Sequence, residues 1–374
     1  MSCFYCYQSS NYNKNKFDPP VKPTYFISQE DYISYYNLSD NQSIKKQMSK
    51  LSSLFPAQLR NDSNHSINIK SSGNKSRGAL HKEIDFVSRD YNNIKYPNLE
   101  VKCYSIKNPK NLKNEIILLR IKNKCFDIID KNQKSDNSED SNSEKENKII
   151  DKSMISIDSE SIDKQEKITL IISHSVSTDL GTIFPIMCDL SIMLKCDVIS
   201  YDYTGYGCSN LSPNYDSLKN DLITVLSFST ISFDIKYEDI ILLSFNIGAI
   251  PTIYVGSLPN HCSIRGMLLV SPKLDFMNRK FDYDYINEVI CPVFIIQGEF
   301  ENNMNSQKIK EFARNFKESI YWVAQKVNDY EEIISGYRLK FYKKIRKFLK
   351  HVHSTRKKIS QSISSSLNSS LILK

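Results

Sequence analysis

Residues 240–250 read Ile-Ile-Leu-Leu-Ser-Phe-Asn-Ile-Gly-Ala-Ile. Four apolar residues in a row make a buried strand, and the glycine five positions on marks a tight turn into a helix. A strand, a sharp turn and a helix form the setting in which G-x-S-x-G presents a nucleophilic serine at the apex. Here the five positions are Ser244-Phe245-Asn246-Ile247-Gly248. The first glycine is serine and the serine is asparagine. A carboxamide is not deprotonated to attack an acyl carbon, so the chemistry such a turn usually hosts is missing at its centre.

The text on either side of this stretch repeats one theme. From residue 167 onward, short apolar strands are expected at 168–173, 197–201, 240–243, 266–270, 293–296 and 320–323. Helices are expected between them at 183–194, 215–226, 247–257 and 306–316. A last helix at 330–350 presents Tyr342, Ile345, Phe348, Leu349 and Val352 at helical spacing. Strands alternating with helices predict βαβ units and a parallel sheet. Upstream, 99–105 alternates and 115–121 is strongly apolar, so strands are expected there too. No internal repeat is visible.

The remainder is polar. Residues 26–80 are dominated by Asn, Ser and Lys and are expected to be largely disordered, and 129–166 is an almost wholly polar insertion. The predicted organisation is therefore a Cys- and Pro-containing head at 1–25, a low-complexity segment at 26–80, and N-terminal strands at 81–128. The polar insertion at 129–166, the core at 167–352 and a basic, Ser-rich tail at 353–374 follow.

Composition narrows the function classes. A net charge of +8 over 374 residues is mild and does not argue for nucleic acid. No apolar run approaches the ~18 residues of a membrane span, and the first residues lack the basic and apolar regions of a secretory signal. Nine cysteines, scattered and odd in number, favour reduced thiols in a cytosolic protein over a disulfide framework or a metal site. Neither a cofactor nor a metal is expected.

Four blocks resemble one family: the cytosolic-face α/β-hydrolase-domain proteins with a Cys-rich N-terminus that remove palmitate from protein cysteines. Residues 17–25, Phe-Asp-Pro-Pro-Val-Lys-Pro-Thr-Tyr, resemble its Pro-rich lead-in segment. Residues 173–181, Ser-His-Ser-Val-Ser-Thr-Asp-Leu-Gly, resemble its S-H-G-N-x-x-D-L-G oxyanion segment. Residues 199–209, Ile-Ser-Tyr-Asp-Tyr-Thr-Gly-Tyr-Gly-Cys-Ser, are similar to its F-S-Y-D-Y-S-G-Y-G-x-S loop almost residue for residue. Residues 240–252 resemble its elbow and following helix. The resemblance implies an α/β-hydrolase fold, a mostly parallel central sheet with helices on both faces.

It also assigns roles. The nucleophilic serine falls on Asn246. The acid falls on Glu301, within Gln297-Gly298-Glu299-Phe300-Glu301, and glutamate serves in such triads. The histidine falls on Val327, so the general base is replaced as well. His174, Ser175, Val176 and Ile247 fall in the oxyanion region, where Ser175 replaces a glycine and its Cβ crowds the approach of backbone N–H groups. None of the six histidines lies between 262 and 350, where the base belongs. Ser244 and Cys208 are the candidate substitute nucleophiles, and neither has a base nearby in sequence.

The resemblance further implies S-palmitoylation at Cys3 and Cys6, and two acyl chains give stable anchoring where one gives marginal binding. Residue 2 is serine, which excludes N-myristoylation. The cluster of Lys and Arg between 338 and 358 reads first as a solvated helix face and second as an electrostatic assist toward anionic lipid. The expectation is a pseudoenzyme, peripheral on the cytosolic face of a membrane, that binds an acylated protein, a lipid or a partner and no nucleic acid. An active serine hydrolase with displaced residues and a scaffold that does not use the cleft are the alternatives. The oligomeric state is left open.

Overall fold

The computed structural model describes residues 23–27, 81–88, 98–109, 111–124, 167–261, 263–277, 279–301 and 306–354. Within them one nine-stranded sheet carries the fold. Its strands are β1 (His81–Ile84), β2 (Leu99–Asn108), β3 (Asn111–Asn123), β4 (Thr169–Ser173), β5 (Asp197–Tyr201), β6 (Ile240–Phe245), β7 (Gly266–Val270), β8 (Val293–Gly298) and β9 (Ser319–Ala324). Their order across the sheet is β9-β8-β7-β6-β4-β5-β3-β2-β1. β4 through β9 are mutually parallel, and β3, β2 and β1 extend the sheet antiparallel beyond β5.

The helices are α1 (Leu180–Leu194), α2 (Tyr215–Ser232), α3 (Ala249–Ser257), α4 (Asp284–Glu288), α5 (Ser306–Arg314), α6 (Tyr330–Gly336) and α7 (338–354). Every residue of β4 through β8 is buried, as expected of parallel strands covered on both faces. The period of two divides β6 between two cores. Ile240 and Leu242 join Leu222, Ile250 and Ile253 of α2 and α3, whereas Ile241, Leu243 and Phe245 join Leu180, Met187, Phe341 and Ile345 of α1 and α7.

The expected α/β architecture is present, with three corrections. Tyr25, placed by the sequence reading at the end of a separate head, is fully buried in the core, and the Tyr25–Phe26 ladder pairs with Val87–Ser88. The helix expected at 330–350 is two helices. After Gly336, Tyr337 leaves helical geometry (φ −116°, ψ 24°), its hydroxyl donates to Gln325 O at 3.0 Å, and its ring meets Trp322 edge-on. The helix expected from 247 starts at Ala249, because residues 246–248 form a 3₁₀ turn. The short Asp275–Phe276/Arg279–Lys280 hairpin and α4 are too brief to show a period in sequence. The segments assigned to 1–22, 28–80, 129–166 and 355–374 lie outside the described residues.

One buried acid supports the loop after β5. Asp221 of α2 accepts hydrogen bonds from Thr204 N–H (2.7 Å), Thr204 Oγ1 (2.8 Å) and Asn114 Nδ2 (3.4 Å). Burial pushes its carboxyl up from 3.8 to about 6, against the effect of those bonds. A carboxyl with a raised folded pKa stabilises the fold when protonated, and that contribution is lost as pH rises through about 6. Two pH units correspond to about 3 kcal/mol. Urea unfolding between pH 4 and 7 is expected to show stability falling by this amount relative to Asp221→Asn. Parallel pH profiles for the two proteins would refute it.

Candidate functional site

The turn after β6 is built as an elbow. Asn246 adopts a left-handed conformation (φ 53°) at its apex. Among L-residues, asparagine tolerates this region well because its short polar side chain replaces lost backbone contacts. Gly248 lets α3 approach β4: a Cβ there would lie 2.1 Å from Ser173 O, a backbone atom that cannot yield. Asn246 O accepts from Lys273 N–H at 3.0 Å, tying the elbow to the loop after β7. Its Oδ1 is buried with no hydrogen-bond partner among the described residues. Ser244 is fully buried on β6, two residues before the apex, its Oγ 3.5 Å from Leu268 O, and is not presented at the turn.

The loops after β8 and β9 are stitched together beside this elbow. Phe300 N–H donates to Val327 O at 2.9 Å, and Lys326 N–H donates to Glu299 Oε2 at 2.8 Å. Glu301 is buried and accepts from Gln297 Nε2 at 2.6 Å. Val327 is buried in the same apolar cluster as Phe245 and Tyr330, whose rings stand 5.0 Å apart. The structure thus places Asn246, Glu301 and Val327 in loops at the same edge of the sheet, the carboxyl-terminal ends of β6, β8 and β9.

The oxyanion segment is braced from behind. His174 is wholly buried; its Nδ1 is 2.8 Å from Ser175 O and its Nε2 3.3 Å from Asp202 Oδ1. His174, expected in the oxyanion segment with a structural role, is enclosed within the loop. Ser175 is buried, Ile247 is fully buried, and Val176 packs partly covered against the α2/α3 core. Asp202 also accepts from Leu180 N–H (3.0 Å) and from the Tyr25 hydroxyl (2.5 Å). That hydroxyl accepts in turn from Cys208 N–H at 3.0 Å. Burial raises both the Asp202 carboxyl and the Tyr25 phenol. Gly207 (φ 49°) is required because a Cβ would fall 1.9 Å from Asp202 Oδ2.

Sequence reasoning missed this brace. Thr24 N–H donates to Asp179 Oδ2 at 2.7 Å, Thr24 Oγ1 also bonds Asp179, and Asp179 caps α1 through Thr182 N–H at 3.0 Å. The signal was a Thr-Tyr pair directly after three prolines, but nothing in its local pattern names partners more than 150 residues away. Cys208, one substitute nucleophile, donates its backbone N–H to the Tyr25 hydroxyl and directs its thiol at Tyr25 O.

No family model matches the chain. Curated relatives do. The chain is 29% identical over 143 residues to alpha/beta hydrolase domain-containing protein aho-3 of Caenorhabditis elegans, covering 35% of this chain and 42% of that protein. It is 28% identical over 143 residues to human alpha/beta hydrolase domain-containing protein 17C, covering 43% of that protein. The chain is thus similar to α/β-hydrolase domain-containing proteins, and its fold is that of the α/β-hydrolases. It spans less than half the length of these curated relatives. Among solved structures, the esterase Pf2001 of Pyrococcus furiosus aligns with a TM-score of 0.50 at 14% identity, covering 68% of this chain and 91% of that one, a likeness of fold alone.

Within this α/β-hydrolase fold the apex after β6 holds a carboxamide and the loop after β9 holds a valine. Among the described residues no imidazole hydrogen-bonds Asn246: His261 packs on Tyr237 and His351 pairs with Glu318. None of the described helices is long and apolar enough to cross a membrane. No group of three or more His, Cys, Asp or Glu among the described residues is placed to hold a metal ion. Cys3 and Cys6 lie outside the described residues.

Proposed function

We propose that this α/β-hydrolase-fold chain is a pseudoenzyme that binds an acylated protein or lipid, or a partner, at the cytosolic surface of a membrane. One observation carries the reading. Asn246 holds the left-handed geometry of a nucleophile elbow while offering a group that neither attacks nor ionises. Val327 puts an apolar side chain where the resemblance assigns the base, which supports the same conclusion. The Ser244 hydroxyl is directed at Leu268 O and the Cys208 thiol at Tyr25 O, which weighs against displaced catalysis. The unpaired Oδ1 of Asn246 is an acceptor suited to an N–H or O–H of the bound group.

The kinship with α/β-hydrolase domain-containing proteins 17, together with the resemblance to palmitoyl-protein hydrolases, supports an acyl group as the ligand. The purified chain is expected to bind a palmitoyl-thioester peptide and leave the thioester intact. Turnover abolished by Glu301→Ala would overturn the reading. Acylation of Cys3 and Cys6 would hold the chain at the membrane. The Cys3→Ser/Cys6→Ser protein is expected in the soluble fraction, and its retention on membranes would remove the anchor from the proposal.

A further inference from the structure

A second site lies at the same edge of the sheet, away from the elbow. Where the β2–β3 turn meets the start of α2, the surface forms an open cleft of about 350 Å³. This is within the range, about 300–1,000 Å³, in which proteins hold small molecules. Five asparagines line it: Asn108, Asn111, Asn114, Asn214 and Asn220. Thr204, Ser212 and Ser217 also line it; the Thr204 and Ser217 hydroxyls are bonded within the fold, to Asp221 and Asn214, so the exposed Asn111 and Asn220 present the polar groups of its wall. None of Asn246, Ser175, Glu301 or Val327 belongs to it.

The charges there are already spent. The first amides of α2 are capped: Asp216 and Ser217 N–H donate to Asn214 Oδ1 at 3.1 and 2.8 Å. An anion therefore finds no open helix N-terminus. Asp216, the carboxylate on the wall, repels anions and is paired with Arg279 at 3.3 Å. Behind the wall, Asp221 is taken by Thr204 and Asn114.

The mouth carries a strained apolar residue. Leu211 sits in the left-handed region (φ 65°) with its side chain 53% exposed. A leucine gains nothing locally from that conformation, and such outliers persist where the surroundings over-determine them. Here Asn210 fixes the segment: its Nδ2 donates to Lys113 O and its Oδ1 accepts from Glu115 N–H, both at 2.8 Å, while its carbonyl accepts from Gly205 N–H at 2.9 Å. An exposed apolar side chain beside exposed carboxamides matches a ring with one C–H face and an equatorial belt of hydroxyls.

We propose that this cavity binds a neutral saccharide of pyranose size, with Asn111 and Asn220 bonding its hydroxyls and Leu211 covering its C–H face. The test is saturation-transfer NMR on the full chain with methyl glucoside, methyl mannoside, methyl galactoside and N-acetylglucosamine, and with inorganic phosphate and myo-inositol for comparison. At least one of the four sugars is expected to bind, at least tenfold more weakly to Asn220→Leu and to Leu211→Gly. Leu211→Gly removes the backbone strain, so an unchanged melting temperature separates lost binding from lost fold. The proposal falls if none of the four sugars binds at millimolar concentration. It also falls if phosphate or myo-inositol is preferred, or if both variants bind as the parent does.

Discussion

Asn246→Ser combined with Val327→His is expected to make the chain react with a fluorophosphonate probe at least about 10²-fold faster than the parent, while each single change stays near background. The reason is that a nucleophile and its base act as a unit. A serine at the φ 53° apex has the right presentation but no acceptor for its proton. A histidine at 327 has Glu301 in the adjoining loop but nothing to activate. Val327 is 3% exposed among Phe245 and Tyr330, so the imidazole must displace apolar packing, and some loss of stability accompanies the gain. Labelling of the unmodified chain, or equal labelling of Asn246→Ser and the double variant, would show that a base exists elsewhere. The pseudoenzyme reading would then end.

Tyr25→Ala is expected to cost more stability than any change at the elbow. Truncating a buried aromatic ring costs about 3–5 kcal/mol. The hydroxyl adds to this, because its loss strands the buried Asp202 carboxylate and the Cys208 N–H, worth about 1–3 kcal/mol. Tyr25→Phe isolates that second part, since the ring stays against Phe86. Urea unfolding of the three proteins measures both. If Tyr25→Ala unfolds within about 0.5 kcal/mol of the parent, the lead-in segment is ornamental and the brace on the loop after β5 fails as an explanation.

The architecture was readable because buried parallel strands have no polar face. The run 240–245 is apolar enough that its neighbours on both sides had to be helices, and the elbow followed from Asn246 and Gly248. Asn246, Glu301 and Val327 were assigned one by one through resemblance; the fold sets them in the loops after β6, β8 and β9. What escaped was non-local. His174 was expected in the oxyanion segment with a structural role, but its partners Ser175 O and Asp202 were not legible in the sequence. Tyr25 looked like the end of a tether until its ring was found in the core. The carboxamide-lined cavity draws on a hairpin turn, the loop after β5 and a helix start, none of which carries a motif alone.

Chain chemistry alone fixed what cannot happen at residue 246, because a side chain's acidity is a property of its atoms wherever it sits. It also fixed the period that makes strands and helices alternate. Which polar groups meet was decided only by the fold. Contacts such as Tyr25 with Asp202, or Asn114 with Asp221, join residues more than 100 positions apart, and their geometry exists once both cores have closed on the sheet.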